Sequence, residues 1–461
     1  MTKTAYLVTD LGPGDGGKGG VVHKIAHMTR AHTVVKVGGA QGSHGVSTSS
    51  GERFAFSQWG CATFEGVRTH ISPRMVIHPE GILNEALNLR YGHGIHDPFG
   101  LLSIDRKALC ATPYHGIASR LKELSRENDP RGTIGTGVGE AYRDAERFPE
   151  LIIRAGDLAR IGLKERLEAV RQNVRTVLAP IIEGSFLHDD RQLVEQEVAL
   201  LEDDGFLKFT ASKCHEVAQS VRITDEEFFS QEILRREGTI VVESSHGVLT
   251  DQKYGFHPHT SALRTLPEFT VAMFRDAGYD GRIVSVGVTR AYQIRHGAGP
   301  MPTADERMTE TLLPGSHKEE NRYQGKVRTG PLDFNLLRYA IDVSGGPKAF
   351  DALAVTWFDQ IRKNGVWHIC NRYRRTSNQD LFPEPGKIRV IREVDEAHSS
   401  HQEALGSALM RCTPDITSYD VPRTMTTNAV YQFCAEVVRE RTGVPVRMVS
   451  FGPTERDKMY T

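Results

Sequence analysis

No stretch of the 461-residue sequence approaches the 18 consecutive apolar residues that a membrane-spanning helix needs. The N-terminus also lacks a basic segment followed by an apolar core, the pattern of a secretory signal. Neither sign of charge dominates, because 57 basic residues stand against 58 acidic ones. General nucleic-acid and membrane-surface proteins carry a basic excess. We therefore expect a cytoplasmic protein that binds neither nucleic acid nor a membrane.

Cysteine is scarce, and its spacing argues against a disulfide framework. Six cysteines are spread singly, without a C-x-x-C pair, so we expect reduced and mostly buried thiols. His93-x-x-His96-Asp97 groups three residues of types that can bind a metal. The stretch is Gly-rich and lacks the spacing of ligands on a helix, so it does not favour a metal site. Tandem repeats and low-complexity linkers are also absent from the sequence.

Short apolar runs that suit strands alternate with segments of helical spacing along most of the chain. The strand-like runs include residues 5–8, 34–37, 239–243, 282–287 and 352–359. The helical segments include residues 79–89, 163–182 and 193–201, and a charged surface helix over 117–127. This alternation predicts an α/β fold with a mostly parallel central sheet flanked by helices.

The stretch Gly12-Pro13-Gly14-Asp15-Gly16-Gly17-Lys18-Gly19 lies between the first predicted strand and a helical segment. Its spacing Gly-x-x-x-x-Gly-Lys matches a P-loop, whose amides and following helix N-terminus bind phosphate. Gly19 stands where a Ser or Thr would hold magnesium, so Asp15 is the candidate metal ligand. The alternative is a flexible glycine turn with an incidental acid.

A second glycine-rich stretch, Gly38-Gly39-Ala40-Gln41-Gly42-Ser43-His44-Gly45, follows the second predicted strand. With both stretches, the chain resembles the adenylosuccinate synthetase family, which has G-D-E-G-K-G and G-G-x-N-A-G-H-T in these places. The sequence departs from that pattern at several positions, among them Gly16, which replaces a Glu, Gln41 an Asn, Ser43 a Gly and Gly45 a Thr.

Further motifs of the family follow in order, so that the resemblance spans about residues 3 to 456. Residues 132–142 are similar to G-T-T-G-R-G-I-G-P-A-Y, and residues 296–303 to V-G-A-G-P-F-P-T. Residues 325–333 stand where the family has T-G-R-R-R-R-T-G-W-L-D, with fewer cations. His246 replaces the Gln of E-G-A-Q-G, and Trp357 the Lys of T-K-L-D.

The resemblance implies a single large α/β domain, usually a homodimer, and a GTP-dependent ligase. Such an enzyme couples L-aspartate to the 6-oxo position of a purine nucleotide through a 6-phosphoryl intermediate, and the expected acceptor is IMP. It implies that Asp15 is the base, that His44 donates to phosphate oxygens, and that Lys18 neutralises phosphate charge. Mg²⁺ would be held by Asp15 and by the second loop at Ser43.

Binding roles carried over from the family fall into three groups. The expected GTP and phosphate site contains Gly14, Gly16, Gly17, Gly19, Asp359, Ser450, Gly452 and Pro453. The expected acceptor site contains Gln41, Thr133, Arg147, His246 and Thr260, and the aspartate site contains Thr303, Lys326 and Arg328. The resemblance implies that Arg147, or alternatively Arg143, serves the partner subunit, although either arginine could lie in a solvated charged turn.

Two other functions remain open from the sequence. One is a related ligase for a guanine-type or modified 6-oxo base, which is favoured by His246, Ile134 and the thinned arginine cluster. A viral branch of the family that acts on deoxyguanylate has lost the catalytic Asp, so Asp15 favours the ordinary acceptor. The other is a P-loop nucleotide-binding protein without ligase activity, which would leave His44 and the motif over 298–303 without a purpose.

Overall fold

The protein is described by a computed structural model over residues 3–127, 129–184, 186–316, 322–374, 378–392 and 394–461. Its strands are β1 Thr4–Asp10, β2 Thr33–Gly39, β3 His44–Ser47, β4 Arg53–Phe56, β5 Arg68–Ile77, β6 Leu102–Asp105, β7 Leu109–Cys110, β8 Arg222–Thr224, β9 Thr239–Gly247, β10 Arg282–Arg290, β11 Tyr292–His296, β12 Val327–Asp333, β13 Ala352–Thr356, β14 Val366–Arg374, β15 Thr413–Asp420, β16 Val446–Ser450 and β17 Lys458–Tyr460.

The helices flank these strands. They are α1 Lys18–Thr29, α2 Pro79–Leu87, α3 Pro113–Leu124, α4 Val138–Arg147, α5 Leu163–Ile182, α6 Arg191–Glu202, α7 Asp204–Ser220, α8 Glu226–Phe228, α9 Pro267–Asp276, α10 Glu306–Ser316, α11 Phe334–Val343, α12 Phe358–Asn364, α13 Glu396–Leu409 and α14 Thr427–Thr442.

One large sheet organises the fold, with the strand order β17-β16-β13-β10-β1-β9-β2-β5-β6-β8. Neighbours in this order run parallel except β16 and β17. A smaller sheet has the order β11-β12-β14-β15, and β3 pairs with β4. The predicted α/β class with a mostly parallel central sheet is confirmed, and the single domain over 1–461 stays a prediction.

The central strands are apolar because both faces of the sheet are covered. In β1, β2 and β9 nearly every residue is buried, as expected for parallel strands packed between layers of helices. Parallel strands also align their carboxyl ends at one edge. The loops that follow β16, β13, β10, β1, β9 and β2 therefore lie side by side at that edge, where ligands bind in open α/β sheets.

One predicted helix lies in a different environment from the one expected. The segment 117–127 was expected to form a surface helix, but α3 ends at Leu124 and buries Tyr114, Ile117, Leu121 and Glu123 among others. The charged pattern was misleading because Lys122, Glu123 and Arg126 face the cleft described below. The apparent solvent face of this helix is part of the site.

The cysteine prediction is confirmed. All six cysteines are unpaired, and five of them are buried. In the His93-x-x-His96-Asp97 stretch, two side chains have partners inside the protein. His93 Nδ1 lies 2.5 Å from Glu52 Oε2, and the Asp97 carboxylate accepts a hydrogen bond from the Gly100 N–H. Among the residues that the structure describes, no helix is both long and apolar enough to cross a membrane.

Candidate active site

A cleft of about 950 Å³ opens at the carboxyl edge of the central sheet. Its walls come from the two glycine-rich loops, α3, the loop over 131–137, α4, the loop after β9 and β11. Seven lysine or arginine side chains line it against three carboxylates. Such an excess of cations in a concave site favours anionic ligands such as phosphates and carboxylates.

The first loop places Asp15 at the cleft in a left-handed backbone conformation. Gly14, Asp15 and Gly17 have φ values of 113°, 58° and 86°. Glycine adopts such values without cost, whereas an ordinary side chain at positive φ is strained. His246, near the end of β9, and Trp357, directly after β13, both have a φ value of 61° at the same edge of the sheet. Strained positions of this kind concentrate at functional sites.

The Asp10 carboxylate, at the end of β1, is an internal anion inside the first loop. It accepts the N–H groups of Gly12 and Gly16, each at 2.8 Å, and the Lys18 ammonium at 2.9 Å. Lys18 Nζ also donates to the His246 carbonyl at 2.7 Å. Gly16 differs from its predicted role here, because its N–H is directed at Asp10 and not at the cleft.

Asp10 also explains why residue 16 is glycine. A Cβ at Gly16 would lie 2.7 Å from Asp10 Oδ2, too close for any side chain. Glycine at position 16 therefore leaves room for the carboxylate that enters from the strand. An acid at the carboxyl end of a buried strand, directly before a glycine loop, was the signal that could have identified Asp10.

A buried charge network holds His44 in place. Glu243, at the end of the apolar run of β9, lies 2.7 Å from His44 Nδ1 and 2.9 Å from Lys36 Nζ. Burial by itself raises the pKa of Glu243, but the Lys36 ammonium and His44 outweigh it and lower that pKa. Since a carboxylate only accepts, Nδ1 of His44 carries a hydrogen and Nε2 is the nitrogen left for a ligand.

His44, Cys61 and Glu243 form a compact group of potential metal ligands. Lys36 already neutralises the carboxylate, and burial raises the pKa of the Cys61 thiol well above its usual value. A metal requires a thiolate from cysteine. This group is therefore a charge network that orients His44.

Gln41, in the loop after β2, contacts His246, near the end of the neighbouring strand β9. The Gln41 side-chain nitrogen lies 2.5 Å from His246 Nε2, and Gln41 Oε1 is buried without a hydrogen-bond partner among the described residues. Burial lowers the pKa of His246 to about 4, and the Lys18 and His44 charges act in the same direction. The neutral His246 imidazole and the Gln41 amide thus form one polar pair that can form hydrogen bonds with the edge of a purine base.

Arg295 and Arg328 are directly opposite each other in the β11–β12 ladder. Neither forms an ion pair with a carboxylate among the described residues. Arg295 donates a hydrogen bond to the His259 carbonyl, and Arg328 donates to the carbonyls of Gly297 and Gly299. Burial, with the Arg328 charge second, lowers the pKa of Arg295 to about 9. Two adjacent guanidinium groups without an acid partner are suited to a carboxylate ligand.

The family model described as adenylosuccinate synthetase matches residues 8–460. The chain belongs to the adenylosuccinate synthetase family. This membership confirms the resemblance and the ligase class inferred from the sequence.

Curated adenylosuccinate synthetases are similar to the chain along its length. The protein of Clostridium beijerinckii is 27% identical, with 99% of this chain and 98% of that protein covered. The protein of Desulforudis audaxviator is 26% identical, with 95% and 94% covered. The present protein is a divergent member of the family.

Two solved structures share the fold. The fully ligated adenylosuccinate synthetase of Plasmodium falciparum superposes with a TM-score of 0.74 at 16% identity, with 99% of each chain covered. The succinoaminodeoxyadenylate synthetase (PurZ) of cyanophage S-2L, bound to dGMP and to dATP as an energy donor, gives 0.55 at 15% identity, with 100% of this chain and 96% of that chain covered.

The cleft brings together most of the acceptor and catalytic residues expected for an adenylosuccinate synthetase. Those that line it are Gly14, Asp15, Lys18, Gln41, Ser43, His44, Thr133, Arg147, His246 and Thr260. Arg147 is exposed at the C-terminal end of α4, while Arg143 pairs with Glu140. Thr133 shares its hydroxyl with Ser119 Oγ at 2.8 Å.

The expected aspartate residues are arranged differently. Lys326 is exposed and does not line the cleft, and Thr303 is buried. The cation next to Arg328 is Arg295, which lies on β11. It does not come from residues 325–333, where the family has its run of arginines. Arg295 was missed because it precedes the motif over 296–303, and only the strand pairing shows that it lies opposite Arg328.

The expected nucleobase residues of the donor lie at the neighbouring part of the sheet edge. The sequence predicts a strand over residues 352–359, but β13 ends at Thr356. The Thr356 hydroxyl donates a hydrogen bond of 2.6 Å to the Gly16 carbonyl. Asp359 then lies in α12, and burial raises its pKa. The Arg290 guanidinium lies over the Trp357 ring, 4.2 Å from its centroid, and Trp357 also packs against the hydrophobic core.

Ser450 ends the adjacent strand β16, and Gly452 and Pro453 follow it. Lys458 Nζ secures this turn by donating to the carbonyls of Pro453 and Thr454, at 3.0 Å and 2.8 Å. Burial lowers the pKa of Lys458 to about 8. Gly17 of the first loop lies against Thr356, and Gly20 in the first turn of α1 lies against Lys458. The residues expected to bind the donor base are therefore close to the first loop.

Proposed function

We propose that this protein is a Mg²⁺-dependent ligase that couples L-aspartate to the 6-oxo position of IMP and consumes GTP. The observation that supports this best is the convergence in one cleft of Asp15, His44, the Gln41–His246 pair and Arg295, with the buried Glu243 behind His44. Each group answers one chemical need of that reaction.

Asp15 supplies the base. The carbonyl oxygen of a 6-oxopurine is a weak nucleophile until the ring N1 proton is removed and negative charge develops on O6. Asp15, partly exposed in the cleft and fixed in its backbone conformation, takes that proton. O6 then attacks the γ-phosphorus of GTP, GDP leaves, and a 6-phosphoryl nucleotide forms.

His44 stabilises the charge on the transferred phosphoryl group. In its cationic form Nε2 donates to a phosphate oxygen while Nδ1–H remains on Glu243, so the carboxylate balances the imidazolium. Burial lowers the pKa of His44, and the Glu243 carboxylate opposes that shift. Lys18 adds a second cation, already oriented by Asp10.

The second half of the reaction takes place beside the arginine pair. Arg295 and Arg328 bind a carboxylate of aspartate, whose amine attacks C6 and displaces phosphate. The product is an N⁶-succinyl purine nucleotide. The guanidinium fork suits this ligand because it can bind a carboxylate through two hydrogen bonds.

The residues of the cleft fit Mg²⁺. Asp15 and Ser43 line the same part of it and offer the hard oxygen ligands that this ion prefers. When bound there, magnesium would neutralise phosphate charge. The residues that would hold it are Asp15 and the second loop at Ser43.

We also propose that two copies of the chain assemble as a homodimer in which Arg147 serves the neighbouring acceptor site. Arg147 is exposed at the rim of the cleft, and no carboxylate of the described residues forms an ion pair with it. An exposed guanidinium without an acid partner is suited to bind the phosphate of a ligand in a second copy. Arg143 is the weaker candidate, since Glu140 already neutralises it.

A second candidate acceptor is a guanine-type nucleotide. It is favoured by His246, whose neutral ring replaces an amide, and by the fold shared with a synthetase whose structure contains dGMP. Asp15 favours IMP, because the related viral enzymes for deoxyguanylate lack that carboxylate.

Phosphate release measured with GTP and aspartate against IMP, GMP and dGMP tests the proposal. We expect turnover of IMP, which Asp15→Asn should reduce by roughly 10²–10⁴-fold, the scale of a general base. No turnover of IMP by the wild-type protein would contradict the IMP assignment. Turnover of a guanine nucleotide alone would establish the second candidate.

His246→Gln, which restores the family's residue, separates the two acceptors further. For an IMP enzyme this variant should keep or increase the activity on IMP. For a guanine-type acceptor it should damage the activity on that nucleotide and gain little on IMP. His188→Gln, at an exposed position outside the cleft, is the matched control and should change neither activity.

A further inference from the structure

His296 stands directly beside the proposed base. It ends β11, and its Nε2 atom lies 3.1 Å from Asp15 Oδ2. Both side chains line the cleft and are largely shielded, with 11% of the His296 side chain and 23% of the Asp15 side chain exposed. The motif to which residues 296–303 are similar begins with valine, which has no polar atom to offer a carboxylate.

The other ring nitrogen indicates which atom carries the hydrogen. Nδ1 of His296 is buried and has no hydrogen-bond partner among the described residues. A buried N–H without an acceptor costs more than a bare lone pair beside apolar atoms. The neutral ring is therefore most stable with its hydrogen on Nε2, the nitrogen that faces Asp15.

This tautomer also decides between two roles for the ring. A metal-binding imidazole uses the lone pair of one nitrogen and donates the hydrogen of the other to a neighbouring acceptor. With Nε2 as the metal ligand, the hydrogen would be on Nδ1, where no acceptor is present among the described residues. The Nε2 atom is accordingly a donor to the carboxylate and not a ligand beside it.

We propose that His296 is a positioning residue for Asp15, donating Nε2–H to Oδ2 so that Oδ1 is held toward the ring N1–H of the acceptor. The inference rests on the proposed function, since it assigns His296 to the base of that reaction. It explains how a carboxylate on a glycine-rich loop, flanked by Gly14 and Gly16, keeps one orientation. The backbone on the other side is fixed by Arg290 Nη1, which lies 3.3 Å from the Asp15 carbonyl.

The kinetic test compares His296→Val with His296→Gln. Valine removes the donor, and we expect kcat to fall by roughly tenfold to a hundredfold, the scale of a lost hydrogen bond to a charged group. The KM values for GTP and aspartate should stay within about twofold. Glutamine keeps an N–H donor and should recover a large part of the rate. His368→Val, on β14 of the same small sheet and outside the cleft, is the matched control.

A spectroscopic test does not depend on turnover. In protein with ¹⁵N-labelled histidine, the His296 ring signals are identified by their loss in His296→Val. We expect the hydrogen on Nε2, and an altered Nε2 shift in Asp15→Asn. A hydrogen on Nδ1 alone would overturn the inference, as would an unchanged kcat in His296→Val.

The two tests also separate the inference from the proposed function. If no 6-oxopurine nucleotide is turned over, the function fails, while the tautomer and its response to Asp15→Asn still decide the contact. If the ligase is active but valine at position 296 is harmless, the inference alone fails.

Discussion

The Asp10 carboxylate and the Lys18 ammonium form a buried ion pair inside the first glycine-rich loop, with 2.9 Å between Oδ2 and Nζ. The side chains are 0% and 2% exposed, respectively. In a P-loop the lysine and the backbone amides of the loop bind phosphate. Here a carboxylate from the preceding strand already binds them, so the loop is held in shape before the nucleotide arrives.

Asp10→Asn should destabilise the protein, because it leaves the Lys18 charge buried without its counter-charge. Breaking such a pair typically lowers the free energy of unfolding by about 3–5 kcal/mol. Urea denaturation followed by circular dichroism measures this change. Glu226→Gln removes the same charge from an exposed pair with Lys107 and should leave the midpoint unaltered. Equal midpoints for both variants would show that Asp10 is not needed for stability.

Asp359→Ala should weaken GTP binding and leave the acceptor site intact. A guanine presents N–H donors that a carboxylate accepts, and losing such a charged partner costs about 1.5–3 kcal/mol, or roughly tenfold to a hundredfold in affinity. The KM values for GTP, ATP and IMP check this expectation. Asp189→Ala, at an exposed position, is the control. Equal use of ATP and GTP by the wild-type protein would reject the guanine assignment.

Arg295→Lys should raise the KM for aspartate by roughly tenfold or more while kcat/KM for GTP changes little. The ammonium keeps the charge but loses the planar fork that binds a carboxylate. Steady-state kinetics with varied aspartate measure the effect. Arg372→Lys, at a 63% exposed side chain paired with Asp415, should have no effect. If both variants bind aspartate like the wild type, the carboxylate binds elsewhere.

His70 should make stability depend on pH. Burial lowers its pKa to about 3, and Nε2 is buried without a partner among the described residues. An unfolded histidine titrates near 6.5, so between about pH 6.5 and pH 3 the unfolded chain binds the extra proton. Stability therefore falls as pH falls through that window, by up to about 1.4 kcal/mol per pH unit for this group.

The His70→Gln variant isolates that contribution. Its free energy of unfolding, measured by urea at pH 7, 6 and 5, should fall less steeply with decreasing pH than that of the wild type. His70 is in a core between strands and Phe229, away from the cleft, so activity at pH 7.5 serves as the check on folding. Parallel pH profiles for both proteins would mean that His70 takes up its proton in the folded state.

The sequence by itself determined the fold class and the position of the chemistry along the chain. The apolar runs at residues 5–8, 34–37 and 239–243 are strands because buried parallel strands need apolar side chains on both faces. Glycine-rich loops after such strands identify a phosphate site from local rules alone. Asp15, His44 and His246 were found for that reason, and the structure places them in one cleft.

Only the tertiary structure decided which charged groups are partners. Glu243 and His44 are separated by 199 residues, Arg295 and Arg328 meet through strand register, and His296 reaches Asp15 from a different sheet. No local sequence pattern contains these pairs. Which side chains contact each other depends on which strands are neighbours in the sheet and on which side chains of each strand point toward the cleft. The same reason explains the helix α3, whose charged residues point into the site and not into solvent.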